Sequence, residues 1–284
     1  MEKCFLCPNN CGIDKHETKG ACLTQDKIKI AKYYLHPFEE PIISGANGSG
    51  TIFFCGCSLK CVFCQNYEVS RNVRGKEISV SDLAKIFKEL EEKGAHNINL
   101  VNPTHYSDKI IEALRLYKPN IPIVYNTHGY ERVEVLEKID KYIDVYLPDL
   151  KYFDQKVSLR YTGKANYFEY ASKAIEFMSK KPFVIENGLI KSGTVVRHLI
   201  LPLNVNDSIE IIKYLAKFKD SIYISLMSQY TPFGDIERFP ELQRKITPRE
   251  YKRVLDFALS ENIVNLFVQS PTSSSEEYIP SWDF

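Results

Sequence analysis

Cys57, Cys61 and Cys64 are spaced C-x3-C-x2-C in the stretch Cys57-Ser-Leu-Lys-Cys-Val-Phe-Cys64. Three thiolates at this spacing can hold three corners of a cubic iron–sulfur cluster. The fourth iron then has no protein ligand. An iron with an open coordination position is where a substrate can bind and react. The chain has 284 residues and eight cysteines, and no cysteine follows Cys64. Zinc is an alternative for any cysteine cluster, but structural zinc takes four ligands, commonly in C-x2-C pairs. A disulfide framework is the other alternative. Cysteines confined to the start of a chain this long do not read as staples.

Cys4, Cys7, Cys11 and Cys22 form a second set, C-x2-C-x3-C-x10-C, with Pro8, Gly12 and Gly20 supplying turns. Tetrahedral sulfur coordination suits either zinc or an iron–sulfur cluster. Zinc would make the set a structural clip. A second [4Fe–4S] cluster would relay electrons or bind substrate. The spacing does not decide between them, and a mobile segment without metal is the plain alternative. Cys55 is left over and reads as a small buried core residue. His16 reads as a loop histidine rather than a further ligand.

The bulk numbers narrow the class. A net charge of +1 gives no broad attraction to nucleic acid or acidic membrane. The start, Met1-Glu-Lys-Cys, lacks the basic and apolar regions of a signal peptide. No apolar run approaches the roughly 18 residues of a membrane-spanning helix. The chain reads as cytoplasmic, with neither a nucleic-acid nor a membrane partner. There thiols stay reduced, and clustered cysteines read as metal ligands.

These cysteines need elements to hold them. Residues 1–50 form a cysteine-rich leader ending in Ser44-Gly-Ala-Asn-Gly-Ser-Gly50. From residue 51, short apolar runs alternate with helical patterns. The runs are 51–55, 97–101, 122–125, 143–147, 195–201, 221–226 and 264–268, the lengths of strands buried on both faces. Between them, 82–93 places Leu83, Ile86, Phe87 and Leu90 on one helical stripe, with Ser81 as N-cap and Gly94 as the stop. Residues 107–117, 132–141, 167–180, 208–218 and 248–261 read similarly. Strands alternating with helices imply parallel βαβ units. Seven strands suggest a sheet curled into a partial barrel over residues 51–270, with a flat doubly wound sheet as the alternative. Residues 271–284 form a tail able to cover one end. Polar residues gather after successive strands: Asn102, Thr104 and His105, then Asn126 and Thr127, then Asp149 and Lys151, and later Tyr230. Arg197 and His198 lie within the fifth strand. In barrels such strand ends build the active site.

The triplet, the strand before it and Phe63 ahead of its last cysteine resemble the radical S-adenosylmethionine (SAM) superfamily. Within it, the chain is most similar to the pyruvate formate-lyase activating enzymes and to their uncharacterised homologues with a cysteine-rich leader. The resemblance rests on Cys57-Ser-Leu-Lys-Cys-Val-Phe-Cys-Gln-Asn66, Asp149-Leu-Lys-Tyr152 and Val196-Arg-His-Leu-Ile-Leu-Pro202. It implies an α/β partial (β/α)6 barrel and a [4Fe–4S] cluster that cleaves SAM to a 5′-deoxyadenosyl radical. It also implies an electron donor such as flavodoxin or ferredoxin, and a protein substrate made into a glycyl radical.

The implied roles follow position by position. Lys151 would meet the SAM carboxylate, as a charge-assisted bond. Asp149 would help hold a monovalent cation. Asn126 and Thr127 fall at further cation or ribose contacts, although Asn126 stands where an aspartate is usual. His105 occupies a glutamate position that grips the methionine amino group, and a neutral imidazole can accept there. Tyr230 replaces a histidine near the adenine, where its ring can stack. Phe63, Asn102, Thr104, Arg197 and His198 complete the expected cofactor pocket. Two other readings remain: radical modification of a different protein, peptide or small molecule, and an iron–sulfur or zinc protein that binds a partner without catalysis.

Overall fold

The computed structural model describes residues 3–269 and residue 282. The expected tail lies outside the described residues, apart from Trp282. In chain order the strands are β1 (Ile28–His36), β2 (Ser49–Phe54), β3 (Lys76–Ile78), β4 (Ile98–Val101) and β5 (Ile123–Thr127). Then come β6 (Val145–Pro148), β7 (Val184–Glu186), β8 (Leu189–Leu199), β9 (Tyr223–Met227) and β10 (Leu266–Val268). The helices are α1 (Pro41–Ser44), α2 (Tyr67–Ser70), α3 (Val80–Glu92), α4 (Ser107–Leu116) and α5 (Val133–Ile139). They continue as α6 (Gln155–Thr162), α7 (Tyr167–Met178), α8 (Val205–Leu215) and α9 (Pro248–Ser260).

The sheet order is β10-β9-β8-β6-β5-β4-β2-β1-β3, with β7 added as a hairpin arm on β8. From β2 to β10 every neighbouring pair is parallel. These are the seven apolar runs of the sequence, one more than the six strands of the resembled barrel. The end strands β3 and β10 do not pair with each other, so the sheet is a partial barrel. The antiparallel strands β1, β3 and β7 were not expected. β1 belongs to the leader and pairs with β2 on one edge and β3 on the other. Helix α6 was also not anticipated. Its short span is capped by Asp154, whose carboxylate accepts from the Lys156 and Val157 amides.

Strand alternation sorts the side chains. Val124, Val145, Leu147 and Val195 face inward and pack with Ile43 of α1 as a small apolar floor. Two residues on, along the same faces, stand Asn126, Asp149 and Arg197. Tyr125 and Tyr146 point the other way, into the layer beneath the helices. The floor is thus apolar beneath β5, β6 and β8, with Thr51 and Asn99 buried beside it on β2 and β4, and charged side chains stand at the C-terminal strand ends. Among the described residues, no helix is long and apolar enough to cross a membrane.

The N-cap of α3 is Ser79, not Ser81. Ser79 accepts from the Asp82 amide while the Asp82 carboxylate accepts from the Ser79 amide, a reciprocal capping box. Ser81 only shares a hydroxyl contact with Ser79, at 2.9 Å. Ser79→Ala should therefore cost about 1 kcal/mol, and Ser81→Ala less than about 0.5 kcal/mol. Chemical denaturation of the two variants checks the order.

Candidate active site

The loop after β2 carries the triplet. It must turn back at once, and Gly56 does this with φ +85°. A Cβ there would lie 2.5 Å from the Cys22 carbonyl oxygen and 2.4 Å from Thr24. Lys60, between the first two cysteines, is also left-handed at φ +62°. The leader braces the loop from beneath. The Cys57 amide donates to the Cys22 carbonyl at 3.2 Å. Asn9 Nδ2 donates to the Ser58 carbonyl at 2.8 Å.

Cys57, Cys61 and Cys64 all line one cleft of about 280 Å³ at the C-terminal strand ends. Burial pushes the Cys57 thiol up to about 12 and the Cys61 thiol up to about 11. Bare thiolates are costly there, so the triplet needs a metal's positive charge to ionise. Ser70 donates to Cys64 Sγ at 3.2 Å, and the Tyr152 hydroxyl lies 3.7 Å from Cys61 Sγ. Cys55 turns away, with its thiol 3.0 Å from the Arg74 carbonyl. Three sulfur donors thus face the cleft. That donor set fits a cubic cluster with one open iron.

Four charged side chains line the same cleft. Asp149 receives Lys151 Nζ at 2.6 Å on one oxygen and Arg197 Nε at 2.8 Å on the other. Burial opposes the charge on Asp149, but Arg197 and Lys151 outweigh it and hold its carboxyl below the usual range. Burial likewise opposes the Lys151 charge, and Asp149 overcomes it and raises that ammonium. Arg197 Nη2 donates to Asn126 Oδ1 at 2.6 Å. Its Nη1 reaches Glu39 at 3.2 Å. Glu39, from the segment between β1 and α1, was not anticipated. Neither was His128, which lines the cleft and meets Ser58 Oγ at 2.9 Å.

Phe63, Asn102, Asn126, Thr127, Asp149, Lys151, Arg197 and Tyr230 all line the same cleft. Asn102, at φ +59°, donates to the Gly56 carbonyl. Phe63 and Tyr230 meet edge to face at 5.8 Å, and the Tyr230 hydroxyl is occupied by the Leu242 carbonyl at 2.6 Å.

Thr104, His105 and His198 do not line the cleft. Thr104 donates to Glu131 at 2.5 Å. His105 Nε2 lies 2.7 Å from the Cys55 carbonyl, and burial lowers its pKa to about 3. It is a neutral donor to backbone. His198 is one residue from Arg197 and so points to the opposite face, with Nδ1 2.7 Å from the Leu150 carbonyl.

The leader cysteines also gather. Cys11 and Cys22 flank Gly20, where a Cβ would lie 3.7 and 3.3 Å from their sulfurs. Cys4 and Cys7 sit close enough to feel both charges. Among the described residues, no three His, Cys, Asp or Glu side chains are drawn in around a single metal ion. A cube spreads its ligands over separate irons, so the triplet need not converge on one point.

Behind the cleft, Glu131 is fully buried beneath the hydroxyls of Thr104, Thr127 and Tyr125. Burial raises its carboxyl to about 7, while those hydroxyls pull it down. The folded state then holds a proton that the unfolded chain, at about 4.3, has lost. Stability should fall as pH rises from about 4.5 to 7, by up to about 3 kcal/mol. Glu131→Gln should flatten that slope in denaturation curves taken across the window.

Comparison with known proteins gives the family and the fold. The family model described as the Radical SAM superfamily matches residues 51–215. An uncharacterized protein of Methanocaldococcus jannaschii is 29% identical over 276 residues, which is 93% of this chain and 76% of that protein. The pyruvate formate-lyase-activating enzyme of Clostridium pasteurianum is 28% identical over 192 residues, covering 64% of this chain and 73% of the enzyme. A crystal structure of Streptococcus suis SuiB bound to S-adenosylmethionine superposes with a TM-score of 0.51 at 16% identity. It covers 79% of this chain, which spans about half (51%) of that one.

Proposed function

The chain belongs to the radical SAM superfamily, and from that premise we propose that it generates a substrate radical on a protein or peptide partner. One observation supports this above the others: the three thiols and the Asp149–Lys151–Arg197 set share one cleft. When bound, a [4Fe–4S] cluster and SAM supply a 5′-deoxyadenosyl radical that removes a hydrogen atom from the substrate. The chain's own residues do the rest. Cys57, Cys61 and Cys64 would hold the cluster, as three sulfur donors on one cleft. Lys151 and Arg197 offer donors to a carboxylate, with Asp149 fixing both. The oxygens proposed for a monovalent cation, on Asp149 and Asn126, are engaged by Lys151 and Arg197, so a cation would bind there only by displacing one of them. Phe63 and Tyr230 wall the cleft and keep water from the reactive carbon.

The similarity to a pyruvate formate-lyase-activating enzyme favours a partner whose backbone glycine becomes the radical. Radical modification of another peptide or small molecule is the second reading. Flavodoxin or ferredoxin is the proposed electron donor, and the cytoplasm the proposed compartment. The leader thiols are proposed to hold a second metal, as a zinc clip or an auxiliary cluster.

Anaerobically reconstituted, reduced protein should form 5′-deoxyadenosine from SAM, and Cys61→Ala should lower the rate at least about 1,000-fold. Wild type that holds an intact cluster but forms no deoxyadenosine would sink the reading. Metal analysis of the Cys57/Cys61/Cys64 triple alanine variant tests the leader. About one zinc per chain identifies the clip, iron with sulfide identifies a cluster, and neither removes the second site.

A further inference from the structure

Glu39 reaches the cleft from outside the parallel barrel. It lies 158 residues from Arg197 along the chain, yet the two pair at 3.2 Å. Its side chain is only 10% exposed. Its other oxygen accepts from Asn99 Nδ2 at 3.0 Å and Asn126 Nδ2 at 3.2 Å. Three hydrogen-bonded partners for one carboxylate, on the three strands β4, β5 and β8, are not needed to hold an exposed loop. The local fold is fixed separately, by Ser44 capping the Glu39 amide at 2.9 Å and by Ile43 in the floor.

Arg197 shows what the carboxylate does. Each guanidinium nitrogen has one partner: Nε has Asp149, Nη2 has Asn126 and Nη1 has Glu39. Asp149 in turn carries Lys151 on its second oxygen. The order of contacts is Glu39, Arg197, Asp149, Lys151. Within that run of contacts two negative groups alternate with two positive ones. Glu40, also buried, stands beside Arg197 and adds to the field that keeps it charged. Without Glu39, Nη1 is left buried and unpaired, and the fork can swing away from Asp149.

We propose that Glu39 is a positioning residue of the SAM pocket, which the leader inserts into the barrel to lock Arg197 and, through Asp149, to aim Lys151. This inference rests on reading the cleft as the SAM site. It makes the segment between β1 and α1 part of the active site rather than an appendage.

The test separates positioning from simple charge. Removing a negative charge beside Arg197 strengthens the bare attraction for a ligand carboxylate. Positioning predicts the reverse. Full-length wild type, Glu39→Gln and Glu39→Asp are reconstituted anaerobically and matched for iron and sulfide. SAM is then titrated twice, once by equilibrium dialysis to read its Kd directly, which should rise with KM in Glu39→Gln, and once while deoxyadenosine formation is followed. Glu39→Gln should raise KM for SAM about tenfold or more, with kcat at saturation within about threefold, and Glu39→Asp should recover part of the loss. An unchanged or lowered KM in Glu39→Gln overturns the proposal. If the glutamine variant fails to load its cluster, the aspartate variant decides: an intermediate KM supports the role, and a wild-type KM overturns it. No deoxyadenosine from wild type overturns the SAM reading, and Glu39's role with it, before any variant is compared.

Discussion

Three thiols on one short loop must face one cleft, and the rest of the molecule is arranged around that demand. The loop can meet it because Gly56 and Lys60 take left-handed conformations and because the leader supplies a backbone acceptor, the Cys22 carbonyl, for the Cys57 amide. The contact leaves no room for a side chain at Gly56. Leader and cluster loop are therefore packed as one unit. The elevated thiols of Cys57 and Cys61 follow from the same burial that would protect a radical from solvent. They make metal binding, rather than thiol chemistry, the state in which this loop is comfortable.

The second demand is charge. A ligand with an amino-acid end brings opposite charges into a dry cleft. Asp149, Lys151, Arg197 and Glu39 answer with two of each sign, held by mutual hydrogen bonds. Buried pairs of this kind add little net stability, since desolvation offsets attraction. What they provide is fixed geometry. The apolar floor of Val124, Val145, Leu147 and Val195 supports it from below, because the same alternation that buries those residues lifts Asn126, Asp149 and Arg197 into the cleft. Fold and site are thus two readings of one strand period.

Much of this was legible in the residues. The seven parallel strands announce themselves as short apolar runs, since strands covered on both faces leave nothing polar to hide. The cysteine triplet and the Asp149/Lys151 pair likewise carry their own spacing. What the residues did not reveal was whatever depended on direction or distance. Thr104, His105 and His198 have the chemistry of cofactor ligands, but their polar atoms are occupied by Glu131 and by backbone carbonyls that no local pattern reveals. His198 differs from Arg197 only in parity. β1 was hidden because its side chains are mostly half-buried and its partners are antiparallel neighbours from two other segments. Glu39 was hidden because its meaning lies in Arg197, far along the chain.

Membership of the radical SAM superfamily and the three-donor cleft together make one physical claim: one iron of the bound cluster stays free to take the amino-acid end of SAM. Hyperfine spectroscopy of the reduced protein, with SAM isotopically labelled at its amino nitrogen and carboxylate oxygen, tests it directly. The account predicts coupling of both labels to the cluster spin. A loaded cluster and bound SAM with neither label coupled would contradict it.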